Sequence, residues 1–242
     1  MNGLTLPPPP LLPSQAPVGP AALFLDFDGT LVELAARPDA VRVPAGLPAL
    51  LLRLGTALGG ALAVVSGRPL AQLDHYLPGP MAKAGEHGAT LRTGAGLPEE
   101  APDLPVPPAA WRAQALALAR AFPGALLEEK THGFVLHYRQ APQAGAPAGA
   151  LLAGLVPGSA FQLVPAHMAW EVRPRGPCKG SAVRRLMQLA RFAGRVPLFI
   201  GDDVTDEAGM AAARALGGHG WQVQQAFGSP AALRAWLARA AA

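Results

Sequence analysis

The chain has little cysteine and little charge. Its single cysteine, Cys178, excludes an intramolecular disulfide framework. Only 15% of the residues are charged, and 20 Lys and Arg against 16 Asp and Glu leave a formal net charge of +4. No stripe of clustered Lys and Arg accompanies this excess, so nucleic acid is not expected as a partner. The densest group, Arg184 and Arg185 with Arg191 and Arg195, reads as the solvated face of one helix. A small anionic substrate suits the mild positive bias better than a polyanion does. No apolar run reaches the roughly 18 residues of a membrane-spanning helix. The first residues lack a basic region followed by a continuous apolar one, so no secretory signal is expected and the expected location is cytoplasmic.

What the chain does have is glycine and proline, 28 and 27 of its 242 residues, beside a 50% hydrophobic content sufficient for a core. Pro7 to Pro10, Pro13, Pro17 and Pro20 fall in residues 1–20, which are expected to form an extended or disordered arm. The length predicts between one and two domains.

From Ala21 onward, short apolar runs stop abruptly at polar residues. Ala22 to Leu25 ends at Asp26-Phe27-Asp28-Gly29-Thr30, Ala61 to Val65 at Ser66-Gly67-Arg68, and Val196 to Ile200 at Gly201-Asp202-Asp203. Runs of this kind suit buried parallel strands, whose carboxyl ends are where α/β proteins place ligands. Leu47, Leu50, Leu51, Leu54 and Leu58 predict a helix between the first two. Val183, Leu186, Met187 and Ala190 predict another before the third. A helix near 205–216, a strand near 221–223 and a helix near 230–240 complete an α/β fold, a doubly wound Rossmann-like parallel sheet.

Residues 98–175 read differently. A helix (110–121), a strand pair (125–130 and 133–139), a second helix (147–155) and a second strand pair (160–165 and 168–173) make an antiparallel α+β unit. The expected organisation is therefore an arm over 1–20, a catalytic core over 21–97 and 176–242, and an inserted α+β cap over 98–175.

The strand ends carry the chemistry. Asp26, Asp28, Asp202 and Asp203 converging on one crevice would repel, so a cation is implied, and oxygen-only ligands favour Mg²⁺. Lys179 and the Ser66 hydroxyl would add positive potential and a donor. Backbone N–H groups at Gly29, Thr30 and Gly67 could receive an anion. Two carboxylates one residue apart suit nucleophile (Asp26) and general acid/base (Asp28), which reads as metal-assisted phosphoryl transfer.

Asp26-Phe27-Asp28-Gly29-Thr30-Leu31 after a hydrophobic strand, Ser66, Lys179 and Gly201-Asp202-Asp203, in this order, resemble the four motifs of the haloacid-dehalogenase-like (HAD-like) phosphatases. Gly85-Glu86-His87-Gly88, Glu128-x-Lys130, His137-Tyr138-Arg139, Trp170 to Pro174, Cys178-Lys179-Gly180 and Val204 to Glu207 further resemble trehalose-6-phosphate phosphatases. The stretch Arg173 to Cys178 departs from the family, which often has Lys and Asn near these places.

The resemblance implies an aspartyl-phosphate on Asp26, hydrolysed by water that Asp28 activates. It also implies Mg²⁺ held by Asp26, the Asp28 carbonyl and Asp202, with Asp203 and Asp206 orienting Lys179 or metal waters. Glu128, Lys130 and Glu171 would bind sugar hydroxyls, and Arg68, Glu86 and His87 would line the opening to the site. Expected partners are a sugar phosphate and, functionally, a trehalose-phosphate synthase, with the protein itself a monomer. Two alternatives stay open: a phosphatase for another sugar phosphate (sucrose phosphate, mannosyl-phosphoglycerate or a hexose phosphate), and a non-catalytic sugar-phosphate sensor. An intact Asp26, Asp28, Lys179 and Asp202 set argues against the sensor.

Overall fold

The computed structural model describes residues 4–12, 14–35, 37–94 and 103–241. The chain divides into two compact units, Met1–Ala101 with Pro177–Ala242, and Pro102–Gly176. The expected boundary at 97/98 lies outside the described residues.

The first unit begins with β1 (Ala21–Leu25), α1 (Leu47–Ala57), β2 (Leu62–Val65), α2 (Leu70–Tyr76), β3 (Ala82–Gly85) and β4 (Thr90–Arg92). The chain then builds the second unit from α3 (Ala109–Ala121), β5 (Leu126–Glu129), β6 (Phe134–His137), α4 (Gly145–Leu155), β7 (Phe161–Ala166) and β8 (Ala169–Pro174). It returns through α5 (Lys179–Leu186), β9 (Val196–Gly201), α6 (Glu207–Ala215), β10 (His219–Gln222), α7 (Val223–Ala226) and α8 (Pro230–Ala240).

In the first unit the sheet order is β10-β9-β1-β2-β3-β4, parallel except for β4, which runs antiparallel to β3. β1 is paired on both edges and fully buried, which is why its sequence is apolar without alternation. Because β2 and β9 flank β1 on opposite sides, the strand order reverses between β1 and β9. Their carboxyl ends therefore bound the crevice where such sheets bind ligands. The buried side of α1 is Leu47, Leu50, Leu51 and Leu54, and Pro48 sits harmlessly in its first turn.

Several expectations are corrected. Residues 4–12 and 14–17 of the arm lack regular structure, as their prolines require, but they are held in place. Leu6 is only 1% exposed, and the Leu11 N–H donates to Ala226 O. The Trp236 and Trp221 indoles donate to Pro8 O and Gln15 Oε1. Proline lacks an N–H but keeps its carbonyl, so the segment can still satisfy buried indole donors. The helix that starts at Lys179 ends at Leu186, and the chain continues in turns, so Arg191 and Arg195 do not extend a face with Arg184 and Arg185. Arg195 instead donates to Ala21 O, and Arg191 lies over the Phe192 ring.

Elements α2, β3 and β4 were not anticipated. Strand β3 reads Ala-Lys-Ala-Gly and gives no apolar signal, yet Lys83 is buried because its ammonium meets Asp74 at 2.6 Å. Arg92 completes this group by pairing with the same carboxylate.

In the second unit an antiparallel sheet, β5-β6-β8-β7, carries α3 and α4 on one face. Phe134, Leu136, Phe161 and Val172 pack there with Ala115, Ala148 and Leu152. The period of two sends Glu128, Lys130, His137, Glu171 and Arg173 to the opposite face. On that polar face charges are buried in company.

Candidate active site

Asp26 and Asp202 are the first residues past β1 and β9, and the Asp26 N–H donates to Ile200 O at 2.9 Å, which holds the two loops side by side. Gly29, at φ +75°, permits the turn after Asp26. A Cβ there would collide with the Asp202 carboxylate, so glycine is needed on both counts. The Thr30 hydroxyl donates to Asp202 Oδ1 at 3.2 Å.

Lys179 opens α5, and Cys178 and Ser181 close a reciprocal cap around it. Gly180 lets this turn approach the Ala208 carbonyl of α6 more closely than any side chain would allow. The Lys179 ammonium is thereby brought between two carboxylates, 2.7 Å from Asp26 Oδ1 and 2.6 Å from Asp206 Oδ1. All three side chains are buried, with Asp206 at 0% exposure. The other oxygen of Asp206 accepts from the N–H groups of Asp202 and Asp203 at 3.0 and 3.1 Å. Asp206 thus ties the lysine to the loop that carries Asp202.

One ammonium does not balance these carboxylates. Burial, then the neighbouring Asp206 and Asp202 charges, hold the Asp26 carboxyl well above its ordinary value despite Lys179. Burial, together with Asp206 and Asp203, pushes Asp202 to about 6. Burial opposes the charge on Lys179, but Asp26, Asp206 and Asp203 outweigh it and hold its pKa above the usual lysine range. Carboxylate oxygens of Asp26, Asp202 and Asp206 lie within 4.8 Å of one another. Buried repulsion among oxygen donors, with two of them already engaged by Lys179, fits a hard divalent cation between Asp26 and Asp202.

The sequence reading had Asp28 and Asp203 converge on the same space, and the structure gives each of them a partner of its own. Asp28 turns to Arg68, which grips it with Nε at 2.6 Å and Nη2 at 2.8 Å. Asp203 is exposed and accepts from the N–H and hydroxyl of Thr205, so it caps the turn at Val204–Asp206. The convergent trio is Asp26, Asp202 and Asp206. The Gly29 N–H is likewise not offered to an anion, because it donates to Val32 O at 2.8 Å, and the Thr30 N–H points to Phe27 O at 3.4 Å.

Ser66 is buried, and its hydroxyl oxygen accepts from the Arg68 N–H, which leaves its O–H to donate. Gly67 is half-buried beside it. Glu86 and His87 occupy the left-handed region at φ 48° and 58°, at about 1–2 kcal/mol each for residues with a Cβ. Their N–H groups donate to Arg68 O and Ser66 O, which pins this strained turn against the Ser66–Arg68 loop.

In the second unit the Lys130 ammonium meets Glu171 Oε1 at 2.7 Å, both groups buried, with Arg173 at 3.8 Å from the other oxygen. Glu128 pairs with His137 Nε2 at 2.8 Å rather than with Lys130. Sequence reasoning missed Gln72 and Tyr76, which hold Arg68. Gln72 and Tyr76 lie four residues apart in α2 and so share one helix face, a signal that an assigned α2 would have exposed.

The family model for trehalose-phosphatase matches residues 24–229. The chain is 41% identical over 208 residues to the trehalose-6-phosphate phosphatase of Escherichia coli (strain K12), spanning 81% of this chain and 75% of that one. It is 40% identical over 200 residues to a probable trehalose-phosphate phosphatase of Sinorhizobium fredii (strain NBRC 101917 / NGR234), with the same coverage. Among solved structures, the C-terminal domain of trehalose-6-phosphate phosphatase from C. albicans aligns with a TM-score of 0.72 over 91% of this chain and 92% of that one. At 19% identity this likeness is one of fold.

Proposed function

The chain belongs to the trehalose-phosphatase family of HAD-like phosphatases, and from that premise we propose that it hydrolyses trehalose 6-phosphate to trehalose and phosphate through an aspartyl-phosphate on Asp26. The observation that carries this reading is the buried Asp26–Lys179–Asp206 chain beside Asp202, three carboxylates that share one ammonium and so lack two positive charges for balance.

Asp26 attacks phosphorus, and the bond from phosphorus to the sugar oxygen breaks. Asp28 supplies the proton that the departing sugar oxygen takes up. Asp28 then accepts a proton from water as that water attacks phosphorus. The phosphorus–Asp26 bond breaks and free phosphate leaves. Lys179 favours the ionised form of Asp26 and aims it, and Ser66 donates to a phosphoryl oxygen. Mg²⁺ held by Asp26, the Asp28 carbonyl and Asp202 supplies charge neutralisation at the phosphoryl group when bound.

To Glu128, Lys130 and Glu171 we assign the hydrogen bonds to sugar hydroxyls, and to Glu86 and His87 contacts at the entrance. Because the proposed substrate is a phosphorylated disaccharide, we infer that the enzyme acts after a synthase that makes it.

Phosphate release from a panel of sugar phosphates, with Mg²⁺ and with EDTA, tests the assignment. We expect turnover of trehalose 6-phosphate that EDTA removes and Mg²⁺ restores. Turnover of a different sugar phosphate in preference would replace the substrate and leave the chemistry standing.

A further inference from the structure

Arg68 is held more completely than a residue waiting for substrate needs to be. Its backbone is fixed at both ends, with its N–H on Ser66 Oγ and its carbonyl taking the Glu86 N–H. Its guanidinium lies 5.5 Å from the Phe27 ring centroid and 5.3 Å from that of Tyr76, and these two rings stack at 5.6 Å. Nη1 donates to Gln72 Oε1 at 2.8 Å, while Nε and Nη2 each take one oxygen of Asp28. The Arg68 side chain is only 8% exposed, whereas Asp28 keeps 31%. The arginine is thus enclosed, and its carboxylate partner is the group that faces outward. A two-point grip on a carboxylate fixes the plane of that group as well as its distance, which a single ammonium contact would not do.

We propose that Arg68 is a positioning residue for Asp28: lying against the stacked Phe27 and Tyr76 rings and braced by Gln72, it orients the carboxylate that moves the proton, and it does not itself bind the sugar. The inference rests on the role given to Asp28 above. Misplacement of a reacting group by about an ångström can cost about 100-fold in rate. Removing the proton-transfer group altogether costs about 100- to 10,000-fold.

The test is a double-mutant cycle on trehalose 6-phosphate hydrolysis with Mg²⁺ present, using Arg68→Met, Asp28→Asn and the pair. Arg68→Met should lower kcat about 10- to 100-fold, with KM within about threefold. In the Asp28→Asn background the same change should cost nothing further. Multiplying losses in the double variant, or a loss confined to KM, would overturn the positioning role. Asp28→Asn with undiminished kcat would overturn instead the acid/base reading beneath it. Should Arg68→Met not fold, Gln72→Leu carries the same cycle. It should give a few-fold kcat loss that likewise vanishes when Asp28 is Asn.

Discussion

Two of the buried lysines sit in different balances of charge. In the first unit Lys179 stands between Asp26 and Asp206 with Asp202 adjacent, so negative charge is in excess. In the second, Lys130 faces Glu171, with Arg173 close to it as a second cation. In the first arrangement the excess negative charge is what a further cation would offset. In the second, Lys130 and Glu171 pair directly, while the buried Nε and Nη1 of Arg173 have no hydrogen-bond partner among the described residues. On the function proposed above, excess would mark the reacting centre, and unused donors beside a paired charge would mark recognition.

The sharpest way to break this contrast is to neutralise one carboxylate of the first cluster. Asp26→Asn should reduce phosphate release about 1,000-fold or more, on the scale of losing a covalent nucleophile. A variant that turns over at the wild-type rate would remove Asp26 from the chemistry.

Unbalancing the second site should be felt in stability first. Lys130→Met leaves Glu171 buried without the ammonium at 2.7 Å, and about 3 kcal/mol should be lost in urea unfolding. Adding Glu171→Leu should recover most of that. In both variants KM for the sugar phosphate should rise more than kcat falls.

If the first cluster needs a cation, Mg²⁺ should raise its thermal stability. At a concentration about 100 times its dissociation constant, binding contributes about 2.7 kcal/mol. Asp202→Asn should abolish the Mg²⁺-dependent shift in Tm while the apo Tm stays level or rises, because a repelling charge has gone.

The smallest effect belongs to a half-exposed group outside both sites. Burial tends to raise the Asp74 carboxyl, but hydrogen bonds from Lys83 and Arg92 outweigh it and hold the pKa below the ordinary 3.8. A depressed folded-state value means that the pair stabilises above the unfolded pKa and loses its contribution as pH falls through the folded one. Asp74→Asn should therefore cost about 1 kcal/mol at pH 7, screened by its exposure, and nothing once pH has fallen below the folded-state pKa. A cost that persisted in acid would show that packing, not charge, is what Asp74 supplies.

How much of this could be read from the chain follows from the kind of signal each part leaves. Strands β1, β2 and β9 announce themselves because central parallel strands are apolar on both faces. The α+β character of the second unit is written in alternation. Strand β3 leaves no such mark, because its burial depends on Asp74 meeting Lys83, a contact that periodicity cannot encode. The prolines of the arm declare that it forms neither helix nor ladder, but not that two indoles would reach its acceptors.

The sequence by itself determined that Asp26, Ser66, Lys179 and Asp202 stand at the ends of buried segments, since an apolar run must stop where polar residues begin. Only the tertiary structure decided who partners whom. Asp206, and not Asp203, meets Lys179; Asp28 turns to Arg68; Lys130 finds Glu171 across 41 residues. These pairings follow from placing β9 beside β1 and β8 beside β6, which fixes side-chain direction in space. A buried charge takes whichever opposite charge that geometry brings within hydrogen-bond reach, and residue order alone does not state that distance.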